Sequence, residues 1–541
     1  MKNWMGLGLI LVVMPILLLR HIGDVNLVYP DAERILMDGV FIMDFFRAMP
    51  LNRVYEFITG YYAQYPALSL GYRMPFFPMV EALFNAVFGV HIWSSRLAIL
   101  TFAYAGAIAW YKLIERIFDK TTAFWSTLIV MTTPYVVQWG WYTMGELSFF
   151  AMCMVTAYFF YRYTENFQPK YLYFATVFLG LSVFTKQTAL FMLLWFVPYL
   201  AVKAGLRDCL KRKEIWVSLA LCLIIFAAFA VITLRLDDWN IMQSVGIKNK
   251  AYPAWRLRWD NLQFYPAAIQ KDHLTGPVLI LGLLGLGASI YKKDSRIIFF
   301  LLLILSNYLF FTYLVAKEPR YAICWIPAFS LFAALPAHYL KKIKPLRTGV
   351  SAILAAVVLY QAGHAYAMPP RFASGYHEAA EYVMRHRISP MVFFDGHLDG
   401  YFIYFIRRLD RERSVYILRG DKLLKKNSVE QQREKSNDRK SWILEAEEIE
   451  EIFSRYGVEY AVVESTPYYQ DKRAQPELRK WLAGGGFFEL VKEIPVKTNW
   501  TPLEGKTLKI YRRQDFNPNT AELLQYEIPL VGQKIKARIN G

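Results

Sequence analysis

The chain has 541 residues, of which 55% are hydrophobic and 17% aromatic, and a formal net charge of +18. A soluble protein of this length rarely carries so many long apolar runs, so the composition excludes an ordinary cytosolic domain and indicates a polytopic membrane protein with a sizeable polar part. The positive charge sits in short stretches between apolar runs, where it orients spans, which argues against a nucleic-acid partner. Cys153, Cys209, Cys222 and Cys324 all lie within or beside apolar segments, so neither a disulfide framework nor a Cys-based zinc site is expected.

The first apolar segment runs from Trp4 to Leu19. It lacks a small-residue cleavage site and further spans follow, so it reads as a retained helix. Ten more segments approach the roughly 20 residues a span needs: 95–114, 121–139, 147–163, 171–186, 187–204, 215–233, 275–291, 297–315, 321–339 and 349–367. The expected fold is therefore a mostly α polytopic membrane protein of about 11 transmembrane helices. Five basic loops follow alternate spans. They hold Lys112, Arg116 and Lys120; Arg162 and Lys170; Lys203 to Lys213; Lys292, Lys293 and Arg296; and Lys341 to Arg347. All five share one face if the N-terminus is cytoplasmic, which predicts an N-in, C-out topology. Regions 21–94, 140–146, 234–274 and 368–541 are then external. The apolar stretch 76–90 is too short for a span and reads as an interfacial helix.

Past residue 367 the pattern changes. Helical stretches at 376–387, 398–408, 445–455 and 470–482 alternate with short strands at 391–394, 414–418, 459–463, 488–492 and 507–511. This predicts a membrane domain over 1–367 and an extracytoplasmic α/β domain over 368–541. The charged stretch 421–441 reads as a mobile insert. No internal repeat is visible.

Several charged residues fall at the outer ends of the expected spans. Asp31, Glu33 and Asp38 lie in the first external region. In a helix over 31–47, Asp31, Arg34 and Asp38 share a face, while Ile35, Leu36, Val40, Met43 and Phe46 could lie against the bilayer. A solvated acidic face is the equally weighted alternative. Glu146 opens a span, where the helix dipole alone would also favour a carboxylate. Lys186 lies between two spans on the side where lysines are not expected, so it either binds an anion or snorkels, and the anion is favoured. Arg320, with Lys317 nearby, has the fork that recognises phosphate, or anchors the interface beside Tyr321 and Trp325. Tyr72 and Arg73 sit in a loop fixed by proline and glycine, with Arg73 a further anion candidate. Arg256, Arg258, Trp259 and Asp260 form an Arg/Trp mix suited to sugar or phosphate, but read better as interface anchors. Asp395-Gly-His397-Leu-Asp399 could hold a metal, but following a strand and preceding a helix it reads better as a turn with an Asp N-cap.

The order of these stretches resembles the GT-C superfamily of membrane glycosyltransferases. The nearest likeness is to the bacterial branch related to protein O-mannosyltransferases and the lipid A aminoarabinose transferase. PDAER is similar to the acidic motif after the first span, although Ala32 separates acids that the family usually has adjacent. YPALSLGYRMPFFPMVEALFNAVFGVHIWSSRLA is similar to the proline-rich motif and its helix. TMGELSFF is similar to the second external carboxylate motif, GLSVFTKQTAL to the Thr-Lys turn, and EPRYAICWIPAFSLFAA to the Arg-Tyr helix.

The resemblance implies an inverting transfer of a sugar from a polyprenyl-phosphate donor to an acceptor hydroxyl on a lipid, glycan or protein. The reaction would occur at the extracytoplasmic face of a bacterial inner membrane. It further implies Asp31 as general base, with Glu146 orienting the acceptor or assisting electrostatically. Lys186, Arg320 and Arg73 would hold the phosphate, with Glu33 and Asp38 also contacting substrate. Some members hold a divalent ion between carboxylates, here Mg or Mn between Asp31 and Glu146; others need none. A transporter or flippase for an anionic or lipid-linked substrate is the alternative class. It would more typically show paired repeats and charges at mid-membrane.

Overall fold

A computed structural model describes residues 5–69, 73–236, 258–420, 446–467, 474–516, 525–530 and 533–538. Its residues form two compact units. One comprises Met1–Ile22, Leu70–Val80 and Trp93–Pro370; the other comprises Gly23–Ser69, Glu81–Ile92 and Arg371–Gly541. Most of the region expected as a first external loop thus groups with the C-terminal stretch.

The first unit is helical. Each of the eleven expected segments is occupied by helix, from Met5–Leu18 to Lys344–Ala367. Among the described residues, six helices are long and apolar enough to cross a membrane. A seventh passage is present if Pro134–Trp141 and Gly145–Asn166, which meet at 120°, count as one. Met5–Leu18, Phe76–Phe88 and Gly276–Tyr291 are apolar but shorter. The protein is a multi-pass membrane protein.

The segment expected at 121–139 is two helices, Lys120–Thr132 and Pro134–Trp141. Thr133 between them is extended (φ −59°, ψ 122°), as the residue before a proline is driven to be. Small residues bring other helices close. A Cβ on Gly285 would lie 1.9 Å from the Phe332 carbonyl oxygen, and one on Gly106 would lie 2.8 Å from Ala151 Cα. Such close approach is how helices pack where lipid provides no hydrophobic drive. Elsewhere, Phe160 stacks on Phe196 at 3.9 Å, and the Trp195 indole donates to the Phe299 carbonyl at 2.7 Å.

Three of the basic loops meet. Asp119 accepts from Thr122 N at 2.9 Å, capping Lys120–Thr132. Its other oxygen pairs with His338 and with Lys341. His338 Nε2 in turn lies 3.2 Å from Arg296 Nη2, and Arg296 is itself paired with Asp294. These loops, read as one-sided from their charge alone, therefore converge within the unit.

The second unit contains a five-stranded sheet in the order β2-β1-β3-β5-β4. The strands are β1 Met391–Asp395, β2 Tyr416–Arg419, β3 Tyr460–Glu464, β4 Phe488–Pro495 and β5 Thr507–Arg513. β1 pairs in parallel with β2 and β3, and β5 runs antiparallel to β3 and β4. The three parallel strands are buried along their whole length, as strands covered on both faces are. Helices Tyr376–His386, Asp399–Leu409, Ala446–Arg455 and Ala474–Ala483 fall where the sequence predicts them. The core holds Phe393, Leu418, Phe453, Ala461 and Leu482, and also Tyr62 and Ala63 from the helix Val54–Gln64. A short bridge pairs Leu27 with Phe372, and Ala373 N donates to Asn26 O at 2.9 Å. The insert 421–441 lies outside the described residues.

The helix Ala32–Ala48 departs from both readings of its sequence. Glu33, Asp38 and Asp44 are 5%, 4% and 5% exposed, so its acids do not form a solvated face. Ile35, Leu36, Val40 and Met43 are also buried within the protein, and only Phe46 is open. The helix is enclosed on nearly all sides, which requires each buried acid to find a partner.

Candidate active site

Each charged residue of the first unit's candidate site stands at an interruption of helix. Glu146 lies in the first turn of Gly145–Asn166, just after the 120° bend. Lys186 is the extended residue (φ −156°, ψ 121°) between Pro169–Thr185 and the 3-10 turn Gln187–Leu190. Arg320 is the second residue of the 3-10 helix Pro319–Trp325, which leads into Ile326–Tyr339. An unbroken helix would carry such side chains along its flank. A break lets them turn inward and leaves backbone groups for partners.

The three converge. Lys186 Nζ lies 2.9 Å from Glu146 Oε1, and Arg320 Nε lies 3.5 Å from the same oxygen. Arg73 is near enough for its charge to act on Glu146. The Glu146, Arg320 and Lys186 side chains are only 4%, 11% and 19% exposed. Aromatic rings line the cations. Lys186 Nζ is 4.7 Å from the Tyr321 ring centroid and 5.7 Å from that of Phe149. Arg320 Cζ is 5.6 Å from Trp139 and 5.8 Å from Tyr321. One carboxylate thus faces at least two cations, in a place where water screens little. Clustered cations favour an anion, and an arginine fork suits phosphate oxygens.

In the second unit, Asp31 immediately precedes the helix Ala32–Ala48. Its backbone is left-handed, φ 80° and ψ −26°, and its side chain does not cap the helix. Asp tolerates this region better than most residues, but it remains a minority conformation that costs free energy and needs surrounding support. That support is visible just upstream, where Tyr29 N donates to the Tyr401 hydroxyl at 3.1 Å and Val28 N to Arg371 O at 3.2 Å.

Glu33 turns into the unit. Its Oε2 accepts from Tyr401 N at 3.1 Å, and Arg34 Nη2 lies 3.7 Å from Oε1. A Cβ on Gly400 would sit 2.7 Å from Glu33 Cγ and Cδ, so only glycine fits there. Burial pushes the Glu33 carboxyl up to about 8, with Asp399 acting the same way and Arg34 and Arg419 opposing. Arg34 itself is engaged elsewhere. Its Nη2 reaches both Asp399 oxygens at 2.9 and 2.8 Å, and Arg419 Nε meets Asp399 Oδ2 at 2.9 Å. Asp38 holds Ser69, accepting from its backbone N at 2.9 Å and pairing with its hydroxyl.

The structure therefore gathers Glu146, Lys186, Arg320 and the charge of Arg73 in one unit. It gives Glu33 and Asp38 buried partners in the other. Tyr72 and Arg256 lie outside the described residues. Lys317 donates to the carbonyls of Phe311 and Thr312 at 2.7 Å each, closing the C-terminal end of Ile298–Tyr313. Burial lowers its ammonium to about 8. Asp395-Gly-His-Leu-Asp399 is a strand-to-helix turn, but Asp399 is the first helical residue and Leu398 occupies the cap. Asp395 pairs with Arg479 at 2.8 Å. Among the described residues no group of three or more His, Cys, Asp or Glu is arranged to hold a metal. Sequence reasoning did not find Asp399, Arg419 and Tyr401 as the partners of the PDAER helix. Their only signal was a cluster of charge and glycine around a turn.

Comparison with known proteins adds to this geometry. Residues 73–232 match the family model described as dolichyl-phosphate-mannose-protein mannosyltransferase. No curated protein sequence matches the chain. ArnT from Cupriavidus metallidurans in the apo state superposes with a TM-score of 0.60 at 13% identity, over 96% of this chain and 99% of that one. The same protein bound to undecaprenyl phosphate gives 0.56 at 14%, over 96% and 98%. The arabinofuranosyltransferase AftD from Mycobacteria gives 0.54 at 12%, over 96% of this chain and 40% of that one. The resemblance read from the sequence is borne out: this chain has the GT-C fold of the membrane glycosyltransferases, similar within it to ArnT and the protein mannosyltransferases.

Proposed function

We propose that this protein is an inverting glycosyltransferase that moves a sugar from a polyprenyl-phosphate donor to an acceptor hydroxyl. The acceptor is a lipid, glycan or protein. The reaction takes place at the extracytoplasmic face of a bacterial inner membrane. The reading includes about eleven spans with the N-terminus inside, a membrane domain over 1–367, and an external α/β domain over 368–541. The alternation of basic loops supports that orientation.

The observation that carries the reading is the convergence of Lys186 and Arg320 on Glu146. As the bond between the anomeric carbon and the phosphate oxygen breaks, the leaving polyprenyl phosphate gains a negative charge. Lys186, Arg320 and Arg73 stabilise that charge where water screens it least. Glu146 keeps the two cations aimed and offsets the repulsion between them. Asp31 takes the proton from the acceptor hydroxyl as its oxygen attacks the anomeric carbon and displaces the phosphate with inversion. Glu33 and Asp38 contribute to substrate binding; Glu33 also holds Tyr401, whose hydroxyl accepts from Tyr29 N just before Asp31, and Asp38 holds Ser69.

A divalent metal does not fit Glu146, because an added cation there meets Lys186 and Arg320. The mechanism has no step through a metal.

The test is transfer by purified protein from polyprenyl-phosphate sugars to candidate acceptors, with wild type, Asp31→Asn and Lys186→Ala side by side. The wild type consumes donor with inversion, and both variants lose most of the rate. Donor that stays intact in every acceptor mixture, or full activity in Asp31→Asn, overturns the assignment.

A further inference from the structure

We infer that His273 is a positioning residue for Arg320, a role that rests on the reading of Arg320 as a phosphate ligand. His273 is 1% exposed and bonds at both ring nitrogens. Nδ1 accepts the Trp325 indole N–H at 2.8 Å, and Nε2 lies 2.9 Å from the Pro319 carbonyl oxygen. An indole nitrogen only donates and a carbonyl oxygen only accepts. These partners leave one arrangement, a neutral ring protonated on Nε2.

Pro319 and Trp325 are the first and last residues of the 3-10 helix that carries Arg320 and Tyr321. Runs of 3-10 geometry longer than three or four residues are uncommon, because their hydrogen bonds are poorly aligned. This segment is instead two short turns joined at a kink at Ala322 (φ −90°, ψ 16°), so neither turn holds the other in line. It needs support from outside, and His273 grips both its ends.

The helix Pro134–Trp141 completes the mount. Tyr135 packs on the His273 ring at 4.8 Å, and one turn later Trp139 lies 5.6 Å from Arg320 Cζ. The ring therefore fixes where the turn begins and ends, and so where the Arg320 guanidinium points relative to Glu146. His273 touches no reacting atom. It acts through Arg320.

The inference predicts a specific non-additivity. His273→Ala weakens undecaprenyl phosphate binding and lowers kcat/KM by about tenfold to 10²-fold, the scale of a misplaced catalytic contact. In an Arg320→Ala background the same substitution changes neither, because its effect has already been lost. His273→Gln, which keeps one acceptor and one donor, recovers most of the loss. Trp325→Phe reproduces part of it. A merely structural histidine would instead lower the thermal midpoint and activity equally in both backgrounds.

The assay pairs direct binding of undecaprenyl phosphate with single-acceptor kinetics on the full-length protein in lipid nanodiscs. Equal losses in wild-type and Arg320→Ala backgrounds overturn the inference, as does a Gln variant that restores the thermal midpoint but not binding. If the wild type neither binds undecaprenyl phosphate nor transfers sugar, the functional reading itself fails. If the wild type binds and transfers but His273→Ala behaves like it, only the role of His273 fails.

Discussion

Lys186 Nζ lies 2.9 Å from Glu146 Oε1, and Arg320 reaches the same oxygen at 3.5 Å. The buried carboxylate is thus shared by two cations. Removing it takes away the carboxylate that two like charges share in a poorly hydrated place. Glu146→Ala is expected to destabilise the protein by about 3–5 kcal/mol, the range for breaking a buried pair. Undecaprenyl phosphate should restore part of that loss, because it supplies the missing anion. The check is the thermal midpoint of wild type and variant with and without the lipid phosphate. A larger ligand-induced rise in the variant supports an anion site; an equal rise argues against it.

Asp31 combines left-handed backbone with a carboxylate that does not cap its helix. Asn accepts the same backbone region readily. Asp31→Asn should keep the wild-type thermal midpoint while lowering the transfer rate about 10²–10⁴-fold, the usual contribution of a general base. Asp31→Ala should in addition lose stability, since alanine is poorly suited to positive φ. Rate and midpoint measured on the same preparations separate the two effects.

The Glu33 carboxyl has an ordinary value of 4.5, and burial raises it to about 8 in the folded protein. Between those values the native state holds a proton that the unfolded chain has released. Stability from this group is therefore fully present below about 4.5, declines as pH rises toward 8, and changes little beyond. Glu33→Gln is neutral throughout. Its thermal midpoint relative to wild type should rise across that window, with an upper slope of about 1.4 kcal/mol per pH unit. A difference that is flat from pH 5 to 8 contradicts a protonated Glu33.

Because Glu146 already faces two cations, removal of divalent ions should leave transfer unchanged. Purified protein treated with EDTA, then supplied with Mg or Mn, provides the comparison. Activity that collapses on chelation and returns with either ion would require carboxylate ligands other than those arranged around Lys186 and Arg320.

Much of the helical architecture was legible in the order of residues, for a simple reason. A membrane helix must satisfy its backbone internally and present about twenty apolar side chains, so each span announces itself locally. The helices and strands of the C-terminal stretch were legible on similar grounds, since periodicity of apolar residues is a local property. Glu146, Lys186 and Arg320 were legible as outliers, being charges at the ends of apolar runs. Their shared oxygen was not, because the pair Glu146 and Lys186 are 40 residues apart and Arg320 is further still.

The PDAER helix shows the opposite case. Its alternating acidic and apolar residues read as a surface element, one face wet and one face greasy. Tertiary structure instead encloses it, with Asp399, Arg419, Tyr401 and Ser69 answering its charges. No local rule signals this, because a buried charge is tolerated only when distant residues arrive to pair with it. The same holds for His273, an unremarked residue until Trp325 and Pro319 close on its two nitrogens. By itself the sequence determined which segments are helices, which loops are basic, and which charges stand at helix ends, since all of these are set by neighbours along the chain. Tertiary structure alone decided which charges meet, which acids are buried, and that Gly23–Ser69 packs with the C-terminal stretch, since those depend on contacts between residues far apart in the chain.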